Sequence, residues 1–92
     1  MLSFTPDDNQ KHAIHARLNL ALGADEFDRL FLGFEIHEVH GEVLYASARS
    51  EYCANVIAER YPLEVAKAAE DILRLRISFV QVVARKQAQQ PN

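Results

Sequence analysis

Apolar residues in the first third of the chain recur at helical spacing. They fall at i, i+4, i+7 and i+8, at Ile14, Leu18, Ala21 and Leu22. This stripe predicts an amphipathic helix of about four turns. Thr5 is a candidate N-cap, Pro6 suits the first helical position, and Gly23 ends the helix.

A second, shorter helix is predicted directly after Gly23. Asp25 is its candidate N-cap, and Gly33 ends it. The apolar positions of this helix, Phe27, Leu30 and Phe31, are spaced to face a core.

The next segment alternates as a β-hairpin does. Residues 34–39 and 42–48 are the two predicted strands, and His40-Gly41 is the predicted turn. Period-2 patterning places Phe34 and Ile36 on one face of the first strand. On the second strand, the same rule groups Leu44, Ala46 and Ala48.

A third helix follows the hairpin, with Ser50 as its cap. Pro62 interrupts its apolar pattern, because proline removes a helical hydrogen bond. Either the helix kinks at Tyr61, or it breaks and restarts with Pro62 in a first turn. We expect a bend, since the apolar face continues from Val65 to Leu73.

Residues 75–83 predict a third strand, with Leu75, Ile77, Phe79 and Val83 sharing a face. The element order is then α-α-β-β-α-β, which predicts an α+β domain with a three-stranded sheet packed against three helices. Residues 1–84 form this domain, and the polar residues 85–92 are expected to be a flexible tail or the start of a linker.

Composition narrows the functional classes. Of the 92 residues, 49% are apolar and 25% are charged, as in an ordinary globular domain. The net charge of −3 disfavours a dedicated nucleic-acid binder, which normally carries excess positive charge. The single cysteine excludes an internal disulfide, and no apolar run has the length of a membrane span. A cytoplasmic location without membrane association is the simplest expectation.

Candidate reactive groups are sparse. The histidine pairs His12/His15 and His37/His40 do not converge with enough ligands for zinc, so solvated histidines are expected. Cys53 lacks an orienting third group and an oxyanion turn, and a structural thiol is the simpler interpretation. We therefore expect no catalytic site, no metal site and no cofactor.

Residues 41–61, GEVLYASARSEYCANVIAERY, resemble the N-terminal domain of the bacterial replication initiator DnaA. In that family a leucine-rich strand runs through Ala-Pro-Asn-x-Phe into a helix that ends in a basic residue and Tyr. Arg49-Ser50 replaces the Pro and its neighbour here, and the helix ends in Arg60-Tyr61. The similarity extends over roughly residues 11–83, and its fold is similar to a KH domain.

The resemblance implies a docking module without catalysis. An acidic residue before a Phe, at the start of the second helix, contacts the replicative helicase in that family, as does an aromatic one turn into the third helix. Glu26, Phe27 and Tyr52 occupy these positions. The expected partners are a replicative helicase or a DnaA-type initiator or regulator. The alternative interpretations are a charge at the N-terminal end of the helix for Glu26 and core packing for the two aromatics.

Two other functions stay open from the residues. A KH-like module could bind single-stranded nucleic acid weakly through Arg74, Arg76 and Lys86. The turn at residues 23–26, however, lacks the second glycine of the KH GxxG loop. A small homo-oligomeric structural module is the third possibility. The family's self-association through an early Trp is not indicated, since the chain contains no Trp.

Overall fold

Residues 3–85 are described by a computed structural model as an α+β fold of four helices and one four-stranded mixed sheet. The helices are α1 (Asp8–Leu22), α2 (Ala24–Phe31), α3 (Glu51–Arg60) and α4 (Pro62–Leu73). The strands are β1 (Ser3–Phe4), β2 (Glu35–His40), β3 (Val43–Ala48) and β4 (Phe79–Ala84). All but the first residue of the predicted tail lies outside the described residues.

The sheet has the order β1-β2-β3-β4. β2 pairs antiparallel with β1 and β3, whereas β4 runs parallel to β3. The predicted hairpin is confirmed, but its turn lies one residue later than expected. His40 pairs with Val43, so Gly41 and Glu42 form the loop. Gly41 has a φ of 64°, a conformation that glycine adopts without steric cost.

The prediction of three strands and three helices is wrong. Ser3 and Phe4 pair with His40 and Val39 and add a fourth strand. The α3 helix ends at Tyr61, whose φ of −126° and ψ of 25° are not helical, and α4 restarts with Pro62 in its first turn. The expected bend is therefore a break between two helices, because proline fits a helix start better than a helix interior.

The start of α1 differs from the prediction. Asp7, rather than Thr5, is the N-cap. The Asp7 carboxylate accepts the Gln10 backbone N–H at 2.8 Å, and the Gln10 side chain accepts the Asp7 N–H at 2.9 Å. This reciprocal capping box satisfies two backbone donors at once and defines the first turn. Asp25 likewise lies within the first turn of α2, and Gly23 is its N-cap.

The core lies between the helices and one face of the sheet. Its fully buried side chains include Ile14, Leu18, Leu30, Phe31, Ile36, Leu44, Ile57 and Val65. Ala21, predicted on the apolar stripe of α1, is exposed instead. Within residues 3–85, no helix combines the length and apolar character that crossing a bilayer requires.

The buried face of the last strand also differs from the prediction, which grouped Phe79 and Val83 with the apolar residues Leu75 and Ile77. Val80 is buried, whereas Phe79 and Val83 are exposed at 58% and 50%. The parallel register sets this orientation, because Val80 lies beside the buried Leu44 of β3. Strand neighbours in register point to the same side of a sheet. Phe79 and Val83 therefore lie on the side away from the core.

Candidate docking site

Glu26 lies in the first turn of α2, where a negative charge interacts favourably with the helix dipole. Its carboxylate also accepts three side-chain hydrogen bonds. The Arg29 guanidinium, one turn later, donates from Nε at 3.1 Å to Oε1 and from Nη2 at 3.0 Å to Oε2. The Tyr61 hydroxyl donates to Oε2 at 2.6 Å. A forked guanidinium–carboxylate pair of this kind fixes both side chains in one geometry.

Arg29 connects this acid to α3. Its Nη1 donates to the Tyr52 hydroxyl at 3.0 Å. Tyr52 itself lies in the first turn of α3 and is 60% exposed. We call the four residues Glu26, Arg29, Tyr52 and Tyr61 the Glu26 cluster. α2, α3 and the junction between α3 and α4 therefore meet in one polar network, and the Tyr52 ring is left open to solvent.

Local capping positions the α3 side of the cluster. The Ser50 hydroxyl accepts the Cys53 backbone N–H at 3.1 Å and so determines where α3 begins. The preceding Arg49 donates from Nη2 to the Arg29 carbonyl oxygen at 2.8 Å. This contact ties the end of α2 to the segment before α3. The Arg49-Ser50 hinge therefore determines the position of Tyr52 relative to Arg29.

The cluster is charged at neutral pH. Hydrogen bonds from Arg29 and then from Tyr61 lower the pKa of Glu26 below its ordinary value. The hydrogen bond to Glu26 raises the pKa of Arg29, so its guanidinium keeps its proton. The same carboxylate raises the pKa of Tyr61, which stays a hydrogen-bond donor. Glu26 and Arg29 therefore form an ion pair at neutral pH, and Tyr61 adds a neutral hydrogen-bond donor.

Two of the four members, Glu26 and Tyr52, were predicted from the sequence. Glu26 and Tyr52 are 26 positions apart in the chain, and Arg29 brings them into one network. Arg29 and Tyr61 were not selected. The i, i+3 spacing of Glu26 and Arg29 is a signal that could have identified the ion pair. The long-range bond from Tyr61 has no such local signal.

Phe27 has a different environment from the other residues predicted to bind a partner. Its side chain is only 9% exposed and stacks on Phe31 with a centroid distance of 5.6 Å. Its spacing to Leu30 and Phe31 already favoured the core alternative. Phe27 therefore packs α2 against the core, and its ring is not available as a large contact surface for a partner.

The cations of the nucleic-acid alternative lie elsewhere. Arg74 ends α4 in a left-handed conformation, with a φ of 60° and a ψ of 38°, and Arg76 follows in the connection to β4. Both are exposed, and Lys86 lies outside the described residues. The Glu70 carboxylate accepts the Ile77 N–H at 2.7 Å beside them. Glu70 lies in α4 and its carboxylate reaches this connection, where its negative charge reduces the attraction for phosphate.

His15 and Cys53 have structural environments, whereas His12, His37 and His40 are exposed. His15 is packed between Phe27 and Phe34, and burial lowers its pKa, so the expectation of a solvated side chain is wrong for this residue. The Cys53 thiol is buried, and its sulfur lies 3.8 Å from the Arg29 carbonyl oxygen. Among residues 3–85, no group of three or more His, Cys, Asp or Glu side chains is arranged to hold a metal ion.

Neither a protein-family model nor a curated protein sequence matches this chain. The side-chain arrangement of the Glu26 cluster is therefore the main support for a functional inference.

Proposed function

We propose that this chain is a non-catalytic docking module of DNA replication initiation, built like the N-terminal domain of DnaA. It binds the replicative helicase or a DnaA-type initiator or regulator. The observation that carries the proposal is the bond network of the Glu26 cluster. Two residues that the resemblance selects independently, Glu26 and Tyr52, are joined by Arg29 at the α2–α3 junction.

The element order supports the same proposal. If α3 and α4 are counted as one broken helix and β1 as an addition, the order becomes α-α-β-β-α-β. The last strand then runs parallel to the second strand of the hairpin. Counted in full the order is β-α-α-β-β-α-α-β, so the α+β class supports the proposal, although shared architecture alone does not specify a function.

The chemistry of the cluster suits a protein partner. Tyrosine and arginine are enriched among the residues that dominate protein interfaces. Tyr52 offers an exposed ring, and its hydroxyl is held by Arg29. Glu26 in turn holds the guanidinium, so less side-chain freedom remains to be lost when a partner binds. A preorganised Arg–Tyr pair of this kind favours binding over turnover.

The direct test measures the affinity of this chain for two proteins of the organism that produces it, the replicative helicase and the DnaA initiator. A combined Arg29→Ala/Tyr52→Ala variant is compared with wild type by biolayer interferometry. We expect binding to weaken by roughly 30-fold or more, as for truncation of interface residues that dominate affinity. Circular dichroism establishes that the variant is folded.

Arg17→Ala is the matched control. Arg17 is also an exposed arginine paired with a carboxylate, Asp71, at 2.9 Å, but it lies on α1 facing α4. Its removal should leave affinity unchanged. Binding of wild type to neither protein, or full binding by the folded double variant, would overturn the proposal.

A further inference from the structure

The strand β4 lies at one end of the sheet, and within residues 3–85 no strand pairs with its outer side. The Phe79 N–H donates to the Glu42 carbonyl at 3.3 Å, and the Arg85 N–H donates to the Ala48 carbonyl at 2.7 Å. Odd-numbered residues of β4 therefore direct their backbone groups toward β3. Because these directions alternate along a strand, Val80 and Val82 present their N–H and C=O groups at the free edge.

The side chains of β4 form a pattern that reads nearly the same in both directions. Phe79, Gln81 and Val83 lie on the open face of the sheet, and Val80 and Val82 lie on the core side. The sequence from 79 to 83 is F-V-Q-V-V, with an uncharged amide at its centre. It contains neither charge nor proline, the usual devices that prevent edge strands from pairing.

Arg85, the charged residue that follows β4, has its side chain turned toward β2. Arg85 follows the strand directly, and its guanidinium donates to the Gly33 carbonyl oxygen. It also lies 3.7 Å from the Glu35 carboxylate. Glu35 begins β2, on the far side of β3. The Arg85 side chain therefore lies across the sheet toward β2, and residues 79–84 of β4 contribute no charge to the outer edge.

We propose that a second copy of this chain pairs antiparallel with β4, about a two-fold axis that passes through Gln81. Val80 then lies opposite Val82 of the second copy, and the two residues exchange both backbone hydrogen bonds. The symmetric pair does the same, which gives four bonds. On the open face, Phe79 lies opposite Val83 of the second copy, and the two Gln81 amides meet on the axis.

Complementarity selects this occupant and this register. A shift by one residue would place core-facing side chains opposite open-face ones, which period-2 alternation disfavours. The aromatic–β-branched pair of Phe79 and Val83 is among the favourable cross-strand pairs. The uncharged side chains of β4 offer no ion pair to a charged peptide, whereas a second β4 matches them residue by residue. The six-residue strand is only about 20 Å long, so the dimer is weak and depends on concentration.

Sedimentation velocity between about 5 and 500 µM tests the proposal over the range expected of a small interface. Wild type should shift from monomer to dimer as concentration rises. Gln81→Lys and Gln81→Glu should each stay monomeric, because like charges would meet on the axis. An equimolar mixture of the two variants should dimerise again. Asn55→Lys, at an exposed position of α3, should behave as wild type does.

Cysteine pairing tests the register. Gln81→Cys should form a disulfide-linked dimer with itself, because directly opposite non-hydrogen-bonded residues have Cα atoms about 4.5 Å apart. Phe79→Cys should not link to itself but should link to Val83→Cys when the two are mixed. A wild type that is monomeric at every concentration, a mixture of charge variants that stays monomeric, or self-linkage of Phe79→Cys would overturn the proposal.

Discussion

The orientation of α1 on the core leads to a specific prediction about the free energy of unfolding. Leu18 is fully buried, and Leu20, two residues later on the same helix, is 88% exposed. Replacing Leu18 by Ala removes three carbon atoms, or about 2.4 kcal/mol at roughly 0.8 kcal/mol each. The cavity left behind raises the total to about 3–4 kcal/mol. A domain of this size is stabilised by roughly 5–14 kcal/mol, so a large share would be lost.

Urea denaturation followed by circular dichroism measures this loss. Leu18→Ala should lower the unfolding midpoint with an unchanged m-value, and the thermal midpoint should fall by roughly 12–30 °C. Leu20→Ala is the matched control and should alter stability by less than about 0.5 kcal/mol. Equal losses from the two substitutions would refute the orientation of α1 on the core.

Three further predictions follow from local contacts. Ser50→Ala removes the acceptor of the Cys53 N–H and should cost about 1 kcal/mol in chemical denaturation, whereas Ser50→Asp should retain most of the stability. Folding lowers the pKa of Glu26 below its ordinary value of 4.5. The ionised Glu26 carboxylate therefore stabilises the fold fully at pH values above 4.5, and this contribution is lost as the pH falls through the pKa of the folded state. The free energy of unfolding should therefore decline below about pH 4.5, and it should decline less steeply in Glu26→Gln. An identical decline in both proteins would contradict this. A labelled single-stranded oligonucleotide should show no rise in fluorescence anisotropy at moderate salt, and a saturable rise abolished by Arg74→Ala/Arg76→Ala would favour nucleic-acid binding instead.

Local signals predicted much of the secondary structure. Gly23 ends α1, Ser50 caps α3, and the alternating residues before and after Gly41 form the hairpin. Each of these features depends on chemistry within a few residues. The two-residue strand β1 was missed, because its formation depends on pairing with β2 and a pair of residues carries no periodicity.

The orientation of β4 could not be read from its own residues. Apolar side chains occupy both parities between Phe79 and Val83, so the alternation has no preferred phase. Register against β3 decides which side is buried, and that register is a long-range property. The same limit applies to the Glu26 cluster. The contacts of Glu26 with Tyr61 and of Arg29 with Tyr52 span 35 and 23 positions.

The most direct test of the docking proposal is a nuclear magnetic resonance titration of the isotope-labelled chain with the replicative helicase. Backbone amide signals should change around Glu26, Arg29 and Tyr52 at the α2–α3 junction, while those around Leu20 and Leu63 on the α1–α4 side stay unchanged. Perturbations confined to the α1–α4 side or to the open face of the sheet would contradict docking through the Glu26 cluster.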